Sequence, residues 1–439
     1  MNVSDIKVGV ISLGCDKNRV DTEKMLAILK TKYQVVKDEE EANVIIINTC
    51  AFLESSRKEA IEEILFAIDL KKQSKDKKII VTGCLPQKFL DDIYLELPEV
   101  DGFLGVSDYG EILSVIDRVV AGERVNAVGV PRGEPCTERV LTTDNYAYLK
   151  IADGCDNHCT YCLIPKIRGK YRSVKKEDLI KEAKSLGEVN ELILVAQDVT
   201  KYGYDLQPST NLVSLIRELS ALKNIKGIRL LYCYPENVTE ELIHEFSVNA
   251  KMIRYIDIPL QHADDKVLKL MGRKGSKEEY LRLINTLRER VKGIAIRSTF
   301  ITGFPGEDEE AFNNLCDFIE KAQLTNAGFF KYSREKETPS FNLPNHLPQS
   351  VKTKRYKKLY SLQKKISRKN LKKLVGKSFK VLAEGFDYDQ LVYYGRAYFN
   401  APDIDGKIYF FSSEPVEYGK HVTVTITKAS DYDLYGEIR

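Results

Sequence analysis

Histidine is scarce in this chain, five among 439 residues, and the five are too scattered to predict a histidine-built metal site. No apolar run approaches the roughly 20 residues needed to span a bilayer, so no membrane partner is expected. The longest runs, Val44-Ile45-Ile46-Ile47 and Leu192-Ile193-Leu194-Val195-Ala196, have the length of buried parallel strands. The stretch Met1 to Cys15 lacks the charged and apolar regions of a secretory leader, and the expected location is cytoplasmic. In that reducing compartment the nine cysteines are expected as free thiols available to metal, not as disulfides.

Acidic residues are missing from one segment. Val351 to Lys373 holds eleven Lys or Arg and no Asp or Glu, and removing those eleven from the total of 67 leaves 56 basic against 64 acidic residues. A single basic helix in an otherwise acidic protein argues for a local contact and against a general nucleic-acid-binding surface. Direct RNA binding is not favoured on this count.

The length suggests about three domains. From Lys7 to about Val130, short apolar runs (Lys7 to Leu13, Asn43 to Asn48, Lys78 to Thr82) alternate with helical patterns (Asn18 to Lys30, Glu54 to Leu70, Pro86 to Leu95, Glu111 to Val120). This predicts an α/β first domain over 1–130, a parallel sheet with helices on its faces, where ligands collect at the carboxyl ends of strands. Cys15, Cys50 and Cys84 each follow directly on one of these strands. A lone buried cysteine in a sheet is usually packing; three at equivalent strand ends suggest one shared metal cluster.

A second trio lies in Asp153-Gly154-Cys155-Asp156-Asn157-His158-Cys159-Thr160-Tyr161-Cys162. Thiolates spaced Cys-x3-Cys-x2-Cys after a glycine suit three corners of a four-iron cube and leave its fourth iron open to a small molecule. Zinc is the alternative, with His158 as fourth ligand. However, His158 and Cys159 are sequence neighbours that splay apart, whereas closed zinc sites use separated ligand pairs.

Val130 to Pro135 looks like a linker, and Cys136 beside it has no assigned role. Six further strands are expected, at Ala147 to Ile151, Glu191 to Ala196, Ile228 to Tyr232, Tyr255 to Ile258, Ala295 to Ile301 and Ala327 to Tyr332. Six strand-helix units over 141–350 predict a partial (β/α)6 barrel, with the second trio in the loop after its first strand. Tyr161, Gln197 with Asp198, Gln261 in Pro259-Leu260-Gln261-His262, and Gly303 in Ile301-Thr302-Gly303-Phe304-Pro305-Gly306-Glu307 stand at that end as candidate cofactor contacts. Their bland readings are a core aromatic, a helix cap and a plain turn. Arg168, Lys170 and Arg172 follow the second trio and can hold a substrate carboxylate or offset cluster charge, or stand solvated at the surface. Cys233 and Cys316 read as core residues. After a proline-studded connector, 351–373 is expected as the basic linker helix, and 374–439 as a small antiparallel β-barrel with strands that include Ser378 to Glu384, Leu391 to Ala397, Lys407 to Phe411 and His421 to Lys428.

The Cys155 motif, with an aromatic before its last cysteine, resembles the signature of radical S-adenosylmethionine enzymes. Gly14-Cys15, Asn48-Thr49-Cys50 and Thr82-Gly83-Cys84 ahead of it resemble the methylthiotransferase family of that superfamily, over nearly the whole chain. The resemblance implies two 4Fe-4S clusters, one on Cys15, Cys50 and Cys84 and one on Cys155, Cys159 and Cys162, with S-adenosylmethionine split at the second to a 5'-deoxyadenosyl radical. It also implies a carboxyl-terminal TRAM domain, a sulfur source, and an electron donor such as flavodoxin or ferredoxin. Members modify either a transfer-RNA adenosine or an aspartate of ribosomal small-subunit protein twelve. Gly376 to Arg439 carries seven basic and ten acidic residues, which suits a basic protein better than phosphates. Ser12-Leu13-Gly14-Cys15-Asp16-Lys17-Asn18 and Ile167-Arg168-Gly169-Lys170-Tyr171-Arg172-Ser173 resemble the ribosomal-protein branch, although Asp16 stands where that branch commonly has proline and Arg19 where it has leucine. The transfer-RNA enzyme, a non-catalytic iron-sulfur electron carrier and a ribosome-binding module remain the alternatives.

Overall fold

The computed structural model describes residues 6–74, 76–131 and 138–438; Cys136 and part of the expected linker lie outside them. The first domain runs β1 (Lys7–Ser12), α1 (Asp16–Leu29), β2 (Gln34–Val36), β3 (Val44–Thr49), α2 (Glu54–Gln73), β4 (Lys78–Gly83), α3 (Cys84–Glu96), β5 (Gly102–Leu104), α4 (Ile112–Val120) and β6 (Val125–Ala127). Its sheet is parallel in the order β2-β1-β3-β4-β5-β6. β3 is buried along its whole length, as its unbroken apolar run demands between two helical layers. The three-residue strands β2, β5 and β6 were not expected, because three residues are too few to show a period.

α1 departs from the usual amphipathic pattern. Lys17, Asn18, Asp21, Glu23 and Lys24 are all buried along it, because its polar face is covered by the second domain and not by water. Lys24 pairs with Glu182 of that domain at 3.1 Å.

The second domain contains β7 (Tyr146–Lys150), β8 (Ala152–Asp153), α5 (Ile164–Ile167), β9 (Arg172–Ser173), α6 (Lys176–Ser185), β10 (Glu191–Val195), α7 (Leu212–Ala221), β11 (Ile228–Leu230), α8 (Glu240–Val248), β12 (Met252–Asp257), α9 (Asp265–Leu270), α10 (Lys277–Arg290), β13 (Ala295–Thr302), α11 (Glu309–Ala322) and β14 (Asn326–Lys331). Strands β7, β10, β11, β12, β13 and β14 form one open parallel sheet in that order. Alternate side chains divide its faces. Leu192, Leu194, Ile256 and Ile296 join the main core with the helices, while Ile193, Val195, Tyr255 and Ala295 pack on the other face against the carboxyl-terminal domain.

The basic segment forms α12 (Gln349–Lys372), docked through buried Leu359 and Ile366. Strands β15 (Ser378–Asp387), β16 (Val392–Arg396), β17 (Ile408–Phe411), β18 (His421–Ala429) and β19 (Leu434–Ile438) then close a small barrel. One of its pairings, β17 with β19, is parallel, a departure from the all-antiparallel expectation. The loop after β16 enters the concave face of the six-stranded sheet. There Arg396 pairs with Glu191 at 3.2 Å and Glu384 at 2.9 Å, Tyr255 donates to Asp405 at 2.7 Å, and Arg297 lies 2.8 Å from Asp257 and 3.7 Å from Asp405. Each of these buried charges has an opposite partner, which offsets the cost of desolvating it. No helix among the described residues is long and apolar enough to cross a membrane.

Candidate active site between two cysteine trios

The first trio sits where the parallel sheet ends. β1, β3 and β4 are hydrogen-bonded neighbours, so Cys15, Cys50 and Cys84, each one to three residues past its strand, emerge on the same edge. Gly14 adopts φ +91, and a Cβ there would come within 2.7 Å of the Cys50 Cβ, so glycine is what lets these two loops close on each other. Cys50 and Cys84 are buried and Cys15 half-buried. Burial pushes the Cys84 thiol up to about 12; Arg168 pulls it down, while Cys50 and Cys15 push it further up. The Cys50 thiol is also raised by burial, against a hydrogen bond from the Phe52 backbone, and Cys15 adds to the rise.

The second trio is wound into a loop clamped at both ends. β8 pairs with β9, the Cys155 N–H donates to the Gly169 carbonyl at 3.1 Å, and Gly154 takes φ +78 where a Cβ would overlap the Lys170 carbonyl. Backbone N–H groups of Asn157 and Ile164 point at Cys155 Sγ and Cys162 Sγ, each at 3.4 Å. Tyr234 Oη lies 3.2 Å from Cys159 Sγ, and the Arg273 guanidinium, stacked 4.1 Å above the Tyr234 ring, reaches the same sulfur at 4.0 Å. Burial raises the Cys155 thiol to about 11, opposed by the Asn157 N–H and reinforced by Cys159. Cys162 is raised by burial and then by Cys159. Gly154→Ala is expected to lower folding stability by about 1–3 kcal/mol and to reduce the iron held by this loop. Chemical denaturation and iron quantification check it, and an unchanged midpoint would contradict the backbone overlap.

Arg168 joins the two trios. It is almost fully buried and donates to Asp153, two residues before Cys155, at 3.0 and 3.1 Å. It also reaches Asp21 at 3.3 Å and Cys84 Sγ at 3.8 Å, and it donates to Asn18 Oδ1. Lys150 bonds Asp21 and lies 3.4 Å from Asp153. Burial alone would raise the Asp153 carboxyl, but Arg168 and Lys150 outweigh it and hold that group well below the usual carboxylate range. The sequence places Arg168 after the second trio without signalling that it crosses to the first domain.

The candidate cofactor contacts differ in their surroundings. Gln197 donates to Asp153 at 3.1 Å, while its buried Oε1 meets no partner among the described residues. Asp198 caps the short turn Val199–Lys201 through the Thr200 N–H, the plainer of its two readings. Tyr161 lies edge-on to Phe304 at 6.4 Å within a small apolar cluster. Gln261 has φ +71, a strained conformation for a side-chain-bearing residue, and its main chain pairs with Thr299 and Ile301. Gly303 has φ +77, and its open side is filled by Lys352 of α12. Nearby, the Asp264 N–H donates to His262 Nδ1 at 3.0 Å, so the proton sits on Nε2 and faces Glu307 at 3.1 Å. Glu307 also accepts from the Gly303 N–H at 2.9 Å and from Arg355 at 2.7 Å, tying the barrel edge to α12. Cys233 and Cys316 are buried in the main core. Sequence reasoning missed Arg273 and Tyr234, which come to Cys159 from 114 and 75 residues away with no local motif to mark them.

The donor set tests which group fits. Among the described residues, no three His, Cys, Asp or Glu side chains close to the distances of a single metal ion, and His158 is exposed while Cys155 and Cys159 are buried. Cys50, Cys84, Cys155 and Cys162, raised by burial and by neighbouring thiols, are unfavourable as free thiolates and suit a positively charged polynuclear core that takes the place of their protons. Backbone N–H groups aimed at sulfur favour the same state. The residues fit iron-sulfur clusters.

An open parallel barrel with Cys-x3-Cys-x2-Cys after its first strand defines a radical S-adenosylmethionine enzyme, and residues 149–319 match the Radical SAM superfamily. Residues 7–105 match the Uncharacterized protein family UPF0004, and residues 375–438 match the TRAM domain. The chain is 47% identical to the ribosomal protein uS12 methylthiotransferase RimO of Acetivibrio thermocellus, over 98% of each chain. It is 46% identical to the RimO of Clostridium kluyveri, over 99% of this chain and 98% of that one. This chain belongs to the ribosomal protein uS12 methylthiotransferase family. Among solved structures, the radical S-adenosylmethionine methyltransferase TsrM of Kitasatospora setae matches with a TM-score of 0.55 at 16% identity, covering 75% of both chains, a likeness of fold.

Proposed function

We propose that this chain inserts a methylthio group at the β carbon of an aspartate in ribosomal protein uS12, the protein named in its relatives. The observation that carries the reading is the link, through Arg168 and Asp153, between the two cysteine trios in a chain that matches its relatives over nearly its full length. Cys15, Cys50 and Cys84 are assigned to one 4Fe-4S cluster, and Cys155, Cys159 and Cys162 to the other, where S-adenosylmethionine binds. When bound, these groups supply one-electron cleavage of a carbon-sulfur bond, hydrogen removal from an unactivated carbon, and delivery of sulfur and methyl.

The protein's share of the work is electrostatic and positional. Arg168 beside Cys84 provides fixed positive charge that favours its thiolate over the thiol, and Arg273 places a second guanidinium 4.0 Å from Cys159 Sγ. Burial of Cys50, Cys84, Cys155 and Cys159 limits the access of bulk water to both trios, with Cys15 and Cys162 half-buried. Gln197, with a donor committed to Asp153 and a free buried acceptor, is suited to hold an amino or hydroxyl group of S-adenosylmethionine. Tyr161, Gln261 and Gly303, in loops on the same carboxyl edge, complete the proposed cofactor surface. Electrons are assigned to a partner such as flavodoxin or ferredoxin and sulfur to a separate source, in the cytoplasm.

A transfer-RNA substrate is the second reading, and the acidic carboxyl-terminal barrel weighs against it, since phosphate recognition wants the opposite charge. Reconstituted enzyme offered a uS12 loop peptide and an anticodon stem-loop in parallel is expected to add one methylthio group to the peptide aspartate, read by mass spectrometry. Modification of the stem-loop with the peptide untouched would overturn the assignment.

A further inference from the structure

The loop of the second trio meets the surface at one point. His158 is the one exposed residue between Ile151 and Pro165, and it adjoins Cys159, so open surface begins about 3.8 Å along the backbone from a proposed cluster ligand. Thr160, on the other side of Cys159, is tied to the segment that ends α9. Its N–H donates to the Met271 carbonyl at 3.0 Å and its hydroxyl to the Leu270 carbonyl at 2.7 Å. Gly272 closes on the same loop, since at φ +71 a Cβ there would lie 2.6 Å from the His158 carbonyl oxygen. Exposed Lys269, Leu270, Gly272 and Lys274 therefore frame His158.

That frame carries charge of one sign. Residues 266–277 hold five Lys or Arg and no Asp or Glu. Three of the five are committed: Lys266 to Glu310 at 3.9 Å, Lys277 to Asp317 at 2.7 Å, and Arg273, which is buried against Cys159 and acted on by Glu236. Lys269 and Lys274 form no ion pair among the described residues. Between them Leu270, 39% exposed, supplies an apolar centre.

Position and charge together select the occupant. Electron transfer weakens exponentially with distance, so a protein that reduces the second cluster touches this chain where that cluster is shallowest, and on the loop itself that place is His158. Lys269 and Lys274 favour a carrier whose contact surface is acidic, because opposite charge steers the encounter and fixes its orientation. Two cations about one apolar residue make a small patch, the size class of transient redox encounters and too small for a permanent partner. A nucleic acid, or an acidic protein without a redox centre, gains nothing from nearness to Cys159.

We propose that His158, Leu270 and Gly272, rimmed by Lys269 and Lys274, form the docking surface for an acidic one-electron carrier protein. In the encounter the carrier is oxidised by one electron and the second cluster is reduced by one; no bond forms or breaks. The inference rests on the assignment of that cluster to Cys155, Cys159 and Cys162.

The test uses the full-length cluster-loaded enzyme, an acidic flavodoxin as the carrier, and dithionite as a reductant that needs no docking surface. The variant K269E/K274E is expected to slow flavodoxin-driven release of 5'-deoxyadenosine about 10-fold or more at about 50 mM salt, while dithionite-driven release stays within about 2-fold of wild type. Independently of turnover, oxidised flavodoxin titrated against the enzyme is expected to bind the variant at least about 5-fold more weakly, with the gap closing by about 300 mM salt. Unchanged affinity and unchanged flavodoxin-driven release in the variant would overturn the proposal. So would a matching fall in the dithionite-driven rate, because the substitutions would then act on the cluster and not on docking. Wild-type enzyme that released no 5'-deoxyadenosine with dithionite would count against the enzymatic reading alone, and the binding titration would still decide the docking surface.

Discussion

Cys155→Ala is expected to abolish cleavage of S-adenosylmethionine, by more than the roughly 10–100-fold that loss of an outer-shell partner costs, while about half of the bound iron remains. The side chain is buried but small, and its neighbours are two other thiols and the Asn157 N–H, so the substitution removes a ligand without removing much of the core. Iron content, the spectroscopic signature of the remaining cluster and 5'-deoxyadenosine release measure the three outcomes separately. A variant that still releases 5'-deoxyadenosine would end the assignment of the second trio.

Arg168→Met is the larger structural perturbation. Methionine fills similar space but leaves Lys150 as the cation in direct contact with Asp153 and Asp21 among the described residues, in a buried site, and removing one partner of such a network typically costs about 3–5 kcal/mol. The denaturation midpoint is expected to fall accordingly. Iron bound by the first trio is expected to drop as well, since Cys84 loses the nearest charge that favours its thiolate. Arg168→Lys keeps the charge but not the planar fork that serves Asp153, Asp21 and Asn18 at once, so it should restore iron more fully than stability. If Met and Lys variants lose iron equally, the guanidinium acts by packing and not by charge.

The strands of both parallel sheets were legible where apolar runs were long enough to show themselves, and the cysteines were legible because each sits at a strand end. β2, β5 and β6 escaped because their pairing is set by neighbours and not by their own three residues. The polar face of α1 reads as solvated in isolation; only the docked second domain explains why Asp21 and Lys24 are buried. Gly303 illustrates the opposite case. Its glycine was legible, but the side chain that occupies the space beside it belongs to Lys352, 49 residues later, a relation that no local pattern carries.

The loop that follows β16 has a consequence for biosynthesis. Glu191, Arg229 and Arg297 are placed on the face of the central sheet that meets the carboxyl-terminal domain, yet their partners Arg396, the Tyr398 carbonyl and Asp405 are each translated more than 100 residues later. A nascent chain paused before those residues emerge would leave the sheet's own pairs, Glu191 with Arg229 and Asp257 with Arg297, uncovered together with the apolar face around Ile193, Val195 and Tyr255. Completion of the central domain therefore waits for the last segment of the polypeptide, and chains released early are natural targets for proteolytic quality control.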